Sequence, residues 1–151
     1  MGKNYSKKFK ICAEAAEKNG YKTYIGKTNK NIQCLLVSKL GEHTIDAYVL
    51  FENNLVCVGK LVLGFDNDDT STIFLSTLVV KQDFQNNGIG SFMMKYFIKL
   101  AKQLDYSTIQ ITCFKKHINF LNRFGFEAKN LESQVVEMNL PLLNNEANNN
   151  L

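Results

Sequence analysis

In this chain of 151 residues, the side chains and backbone best suited to chemistry sit in one short run, Gln85-Asn86-Asn87-Gly88-Ile89-Gly90-Ser91. Two glycines at this spacing let the backbone approach a ligand closely, and free N–H groups at a helix start attract phosphate oxygens. The run follows a strand-like stretch ending at Val80 and opens an apolar helical stripe, which suits a phosphate or pyrophosphate. A Walker loop would need Gly-Lys-Ser/Thr at the helix start. A Rossmann fingerprint would need one more glycine and a parallel βαβ unit. Other chemistry is sparse. His43 and His117 are the only histidines, and Cys12, Cys34, Cys57 and Cys113 are scattered without a C-x-x-C pair, so no metal site is expected. The acidic run Asp66-Asn67-Asp68-Asp69 would need glycine at 71 and glutamate at 77 to be an EF-hand loop. Ser71 and Thr77 stand there instead, and the run reads as a turn.

The elements that must position the run follow from periodicity. Ser6 caps a helix from Lys7 to Asn19, with Tyr5, Phe9, Cys12 and Ala16 on one face and Gly20 ending it. Lys22 to Asn31 reads as a polar connection. Strands are predicted over Gln33–Lys39, Thr44–Phe51, Leu55–Phe65 and Ser71–Val80, joined as antiparallel hairpins. Ile45, Ala47, Val49 and Phe51 alternate with Thr44, Asp46 and Tyr48, the mark of a half-buried strand. After the loop at 81–87, a helical stripe runs through Ile89, Phe92, Met93, Tyr96, Phe97, Leu100 and Leu104, with Lys95, Lys99 and Lys102 opposite. A strand at Thr108–Phe114, a short helix at Lys116–Phe124, a return strand at Phe126–Ala128 and a last strand at Ser133–Leu140 complete the pattern.

Composition sets the frame. With 45% hydrophobic and 21% charged residues, the chain has enough apolar surface for one folded domain. No apolar run reaches the roughly 18 to 20 residues of a membrane helix, so no membrane partner is expected. Scattered thiols and a polar N-terminus without a secretory stretch point to the cytoplasm. Residues 1 to 30 carry eight lysines against Glu14 and Glu17, a net +6 that leaves −2 for the rest. This reads as a solvated face, with a basic interaction protein as the rival. Met1-Gly2-Lys3-Asn4-Tyr5-Ser6 fits the N-myristoylation pattern, but six loosely defined positions match by accident, and no lipid anchor is expected.

Gln85-Asn86-Asn87-Gly88-Ile89-Gly90 resembles the Q/R-x-x-G-x-G/A motif of the GCN5-related N-acetyltransferases, the GNAT superfamily. The order of elements over residues 44 to 140 is similar as well, down to Phe124-Gly125-Phe126 after the short helix. The resemblance implies an α+β fold, a mixed and mostly antiparallel sheet flanked by helices in a single domain. Its expected parts are an N-terminal helix and connection (1–31), an acetyl-CoA-binding core (32–141) and a flexible asparagine-rich tail (142–151). It implies acetyl-CoA as acyl donor, with the backbone of Leu78 and Val80 on the pantetheine arm. The N–H groups from Gln85 through Asn86, Asn87, Gly88, Ile89 and Gly90 to Ser91 would hold the pyrophosphate. On that reading the identities at Asn86 and Asn87 matter little. The reaction is acetyl transfer to an amine, of a small molecule or a protein, by direct attack in a ternary complex; a homodimer is compatible with it.

The resemblance also marks departures. The family's usual tyrosine acid, four residues before the Gly-Phe glycine, is Leu121 here, and an asparagine often found eleven residues before it is Phe114. The remaining candidates for moving a proton are His117 and Ser76. Lys115 and Lys116 read as solvated, and Cys113 as an inert buried thiol. The helices that family members place between the first two strands are missing between Gln33–Lys39 and Thr44, which implies an open acceptor groove suited to a bulky acceptor such as a protein amine. A catalytically weak or inactive acyl-CoA-binding regulatory module is the alternative reading.

Overall fold

The computed structural model describes residues 5–129 and 131–142. The myristoylation pattern at 1–4 and the asparagine-rich tail from 143 onward lie outside the described residues. The elements are α1 (Lys7–Lys18), β1 (Lys22–Lys27), β2 (Gln33–Lys39), β3 (Thr44–Phe51), β4 (Asn54–Phe65), β5 (Thr72–Val80), α2 (Ile89–Gln103), β6 (Thr108–Phe114), α3 (Ile118–Asn122), β7 (Glu127–Ala128) and β8 (Val135–Pro141). The strands follow the order β1-β2-β3-β4-β5-β6-β8-β7 in one mixed sheet. β5 and β6 run parallel; β1–β2, β2–β3, β3–β4, β6–β8 and β7–β8 are antiparallel. The chain clusters into two compact units, one of residues up to Val62 with Thr77–Met94, the other of Leu63–Ser76 with Lys95 onward.

In the first unit, the Ser6 hydroxyl accepts the Lys8 N–H at 3.3 Å and caps α1, while Gly20, at φ +87°, lets the chain leave the helix. Phe9 and Ala13 are buried against Leu35 and Val37, with Cys12, Ala16, Tyr21, Ile25, Tyr48, Leu50 and Leu55 packed around them. Burying a side chain the size of Phe9 contributes about 1.5–3 kcal/mol, which fixes α1 on this face of the sheet. The opposite face meets the start of α2: a β-carbon on Gly59 would come within 2.8 Å of the Met93 sulfur.

The segment read as a polar connection, Lys22 to Asn31, is a correction. It contains β1, paired from Lys22↔Ser38 to Lys27↔Gln33, and a tight turn. Its only large aliphatic residue is Ile25, so period-two patterning is faint. The strand is made by its neighbours: Tyr24 stacks on Phe92 at 5.8 Å, and Gly26 lies so close to the Phe92 ring that a β-carbon would reach 2.8 Å.

In the second unit, Thr72–Leu75 pair with Thr108–Ile111 and stop there, although β5 continues to Val80 and β6 to Phe114. Ile73, Leu75, Phe97, Leu100, Ile109, Leu121, Phe126, Val136 and Met138 form its buried interior. The acidic run before β5 is a turn. Asp66 accepts the Asp68 N–H at 2.9 Å, and Asp69 accepts from the Ser71 N–H and hydroxyl and from the Thr72 hydroxyl.

Candidate functional site

The glycine run lies wholly in the first unit, between the end of β5 and the start of α2. Residues Gln82–Phe84 form a single 3-10 turn, anchored by an edge-to-face contact between Phe84 and Phe51 at 5.6 Å. The Gln85 side-chain amide donates to the Val80 carbonyl at 3.0 Å, and the Asn87 amide donates to the Phe84 and Gln85 carbonyls at 3.1 and 3.4 Å. Asn86 and Gly88 both take left-handed backbone angles, φ +65° and +81°. The first bond of α2 runs from the Phe92 N–H to the Gly88 carbonyl at 3.0 Å. The N–H groups of Ile89, Gly90 and Ser91 therefore lie ahead of the hydrogen-bonded helix, at its positive end.

Two details of the expected roles change. The Gln85 N–H is committed to the Gln82 carbonyl at 3.2 Å, so Gln85 fastens the loop through its side chain instead of offering a backbone donor. Asn86 and Asn87 matter as asparagines: one accepts a left-handed angle, the other ties the loop's own carbonyls. The loop also has a neighbour that the sequence did not reveal. The side-chain oxygen of Asn29, in the β1–β2 turn, occupies the space a β-carbon on Gly88 would need, and the Thr28 β-carbon is 3.3 Å from that point. Thr28 is buried and holds the turn by accepting the Lys30 and Ile32 N–H groups at 3.2 and 3.3 Å.

Leu78 and Val80 are both half-buried on the last stretch of β5. That stretch is held to β4 by the Lys81 N–H, which donates to the Val58 carbonyl at 2.7 Å. Val58 is the extra residue of a bulge: Ala47 pairs with Gly59, and Tyr48 with Cys57.

The second unit carries the other candidates. Ser76 is exposed on β5, and His117 is exposed just before α3. Leu121, where the family resemblance puts a tyrosine acid, is 3% exposed and belongs to the interior, while Phe114 is 60% exposed. Gly125 has φ +97°, and the Phe126 N–H returns to the Leu121 carbonyl at 3.3 Å, so the Phe-Gly-Phe segment closes α3. Cys113 is half-buried rather than buried, and the burial it has pushes its thiol up; Lys115 and Lys116 are exposed.

One group of polar residues was missed. Alternation through β3 predicts Asp46 and Tyr48 on the polar side of a half-buried strand, yet Asp46 is 6% exposed. Lys39 lies 3.5 Å from its Oδ2 and Lys60 3.9 Å from its Oδ1. Burial lowers the Lys39 ammonium's proton affinity, but the Asp46 carboxylate and the Tyr48 and Glu42 side chains outweigh it and leave it raised. Burial, followed by Cys57 and Asp46, pushes the Tyr48 phenol up and keeps it protonated. Alternation of charge across β2, β3 and β4 was the available signal, but it needs the register to be seen.

Among the described residues, no helix is long and apolar enough to cross a membrane, and no three His, Cys, Asp or Glu side chains gather as a metal site. Comparison with known proteins gives relatives on three levels. Residues 22–126 match the model of the acetyltransferase (GNAT) family. An uncharacterized N-acetyltransferase, ycf52, of Gracilaria tenuistipitata var. liui is 29% identical over 85 residues, 54% of this chain and 45% of that protein. The chain thus spans less than half the length of this curated relative. Among solved structures, Ard1 from Thermoplasma volcanium superposes with a TM-score of 0.57 at 18% identity, covering 68% of this chain and 72% of that one. A Bacillus subtilis acetyltransferase in complex with CoA gives 0.55 at 19% identity, over 68% and 79% of the two chains. These structures share the fold, and the family match covers well over half of the sequence: the chain belongs to the GNAT acetyltransferase family.

Proposed function

We propose that the protein is an acetyl-CoA-dependent N-acetyltransferase that moves the acetyl group to an amine by direct attack in a ternary complex. The observation that carries this reading is the β5-loop-α2 segment. β5 runs past the end of its register with β6, which supports backbone pairing of Leu78 and Val80 with the pantetheine arm. The loop then turns at Gly88 to set the Ile89, Gly90 and Ser91 N–H groups at a helix start, where a pyrophosphate gains from hydrogen bonds and the helix dipole together. The CoA held by the Bacillus subtilis relative lends support.

The chemistry is a simple exchange. The neutral amine nitrogen attacks the thioester carbon, a C–N bond forms, the C–S bond breaks, and the thiolate takes up the proton the nitrogen sheds. Holding both reactants together supplies much of the rate. A thiol of ordinary pKa of about 8.5 leaves tolerably without a strong acid. Ser76 and His117 are the candidates for relaying the proton. The four free thiols support a reducing, cytoplasmic setting.

The buried Leu121 favours a second reading, an acyl-CoA-binding module without turnover. Thermal unfolding with acetyl-CoA, CoA and ATP tests the site. At 100 times Kd a ligand stabilises by about 2.7 kcal/mol, a melting shift of roughly 5 to 11 °C at this size. The shift is expected for CoA species alone and is lost in Gly90→Asp, which sets a carboxylate against the pyrophosphate. No shift at millimolar acetyl-CoA overturns the proposal. Binding without turnover across a broad amine panel selects the second reading.

A further inference from the structure

Asp46 has a buried carboxylate oxygen that the fold leaves without a hydrogen bond. Its Oδ1 is enclosed and accepts none, and the Lys60 ammonium stands off at 3.9 Å. An unsatisfied buried carboxylate oxygen costs stability, so a fold that keeps one invites a ligand explanation. The register explains how it arises. On the face that carries α1, the rows Val37–Asp46–Lys60 and Leu35–Tyr48–Cys57 lie side by side. α1 packs over Leu35 and Val37, and the β3–β4 part of those rows presents Asp46, Tyr48, Cys57 and Lys60. The Asp46 side chain is 8% exposed while that of Lys60 is 53% exposed, so the ammonium arm rather than the carboxylate is the movable partner.

The position fits the reaction. The Val58 bulge carbonyl receives the Lys81 N–H, and a β-carbon on Gly59 would stand 3.3 Å from the Val79 carbonyl. β4 residues 57–60 thus lie against the stretch of β5 assigned to the donor's arm. With strands about 4.8 Å apart, Lys60 is one strand from that backbone and Asp46 two.

Resting on the acetyltransferase reading, we propose that Asp46 and Lys60, supported by Lys39 and Tyr48, are the acceptor-recognition site. Its ligand carries a primary amine beside a carboxylate, as a free α-amino acid or as an acidic N-terminal residue of a peptide. The carboxylate draws Lys60 onto itself, and the amine N–H takes its place on Asp46 Oδ1. A zwitterion inserted into an open ion pair leaves the net charge unchanged and satisfies the orphaned oxygen. Before attack the zwitterion's ammonium gives one proton to solvent, which leaves the bound amine neutral and nucleophilic. The nitrogen then forms the C–N bond as the C–S bond breaks, and its proton leaves with the thiolate.

The test is an acceptor panel with the wild-type chain, Lys60→Gln and Asp46→Asn, with acetyl-CoA affinity measured in each. The panel holds glutamate, aspartate, peptides starting with Glu or Asp, and matched amines lacking the carboxylate. Amines with the carboxylate are expected to be favoured, and free amino acids against peptides distinguishes the source. Lys60→Gln should raise KM for carboxylate-bearing acceptors roughly 10- to 100-fold, and Asp46→Asn should lower kcat/KM by a similar factor, the size of a lost hydrogen bond to a charged group. Acetyl-CoA affinity should stay unchanged. Equal use of amines without a carboxylate, or an unchanged KM in Lys60→Gln, overturns the inference while leaving the acetyltransferase reading intact. Loss of acetyl-CoA binding by the wild type would instead sink that reading. If the donor binds and no acceptor is turned over, glutamate is titrated into the CoA complex and amide resonances around Asp46 and Lys60 are followed. Saturable shifts there support the site, and their absence overturns it.

Discussion

The side-chain oxygen of Asn29 fills the volume that a β-carbon on Gly88 would require. The β1–β2 turn is thereby packed onto the loop assigned to the donor's pyrophosphate; the φ of +81° favours glycine at 88, and a β-carbon there would also push the Asn29 side chain aside.

Gly88→Ala is expected to destabilise for both reasons. The left-handed angle alone costs about 1–2 kcal/mol for a residue with a β-carbon, a melting temperature lower by roughly 2 to 8 °C. Adding Asn29→Ala should return the steric part and leave the backbone part, so a double-mutant cycle by thermal unfolding should give a favourable coupling. A coupling of zero would mean that the Asn29 contact does not constrain the loop.

Restoring the family's tyrosine should not restore an acid. Leu121 is 3% exposed within the second unit, and a larger side chain there overpacks the interior at a cost of about 1–3 kcal/mol. Leu121→Tyr is expected to melt lower and to turn over acetyl-CoA no faster. A tenfold rise in kcat at an unchanged melting temperature would place position 121 at the thioester.

Alkaline stability should carry the mark of Cys34. Burial pushes this thiol from 9.0 up to about 12, outweighing the opposing Tyr48 backbone hydrogen bond. Between those two values the folded chain keeps the proton while the unfolded chain releases it, so stability present below pH 9 is lost as pH rises. The raised Tyr21 and Tyr48 phenols act in the same direction. Urea midpoints measured from about pH 7 to 10.5 are expected to fall above pH 9, more steeply for the wild type than for Cys34→Ala. Parallel curves would show that this thiol contributes nothing to the decline.

Much of the fold was legible because its signals are local. The hydroxyl of Ser6, the alternation through β3, the stripe of α2 and the glycines at 20, 88 and 125 each act within one or two turns of chain. β1 was not legible, because a strand of two lysines, two polar-edged side chains, one glycine and one isoleucine is defined by what it pairs with. Its partners are β2 and the Phe92 ring, and neither association is written in the strand itself.

The site divides along the same line. The sequence by itself determined that Gly88 and Gly90 stand at a helix start, and that leucine rather than tyrosine occupies position 121. Only the tertiary structure decided that Gln85 and Asn87 tie the loop from within, that Asn29 leans on Gly88, and that Asp46 is buried between Lys39 and Lys60. Period and propensity act along the chain, whereas burial of a charge depends on strand register and on which face a helix covers. Those are set by packing between residues far apart in sequence.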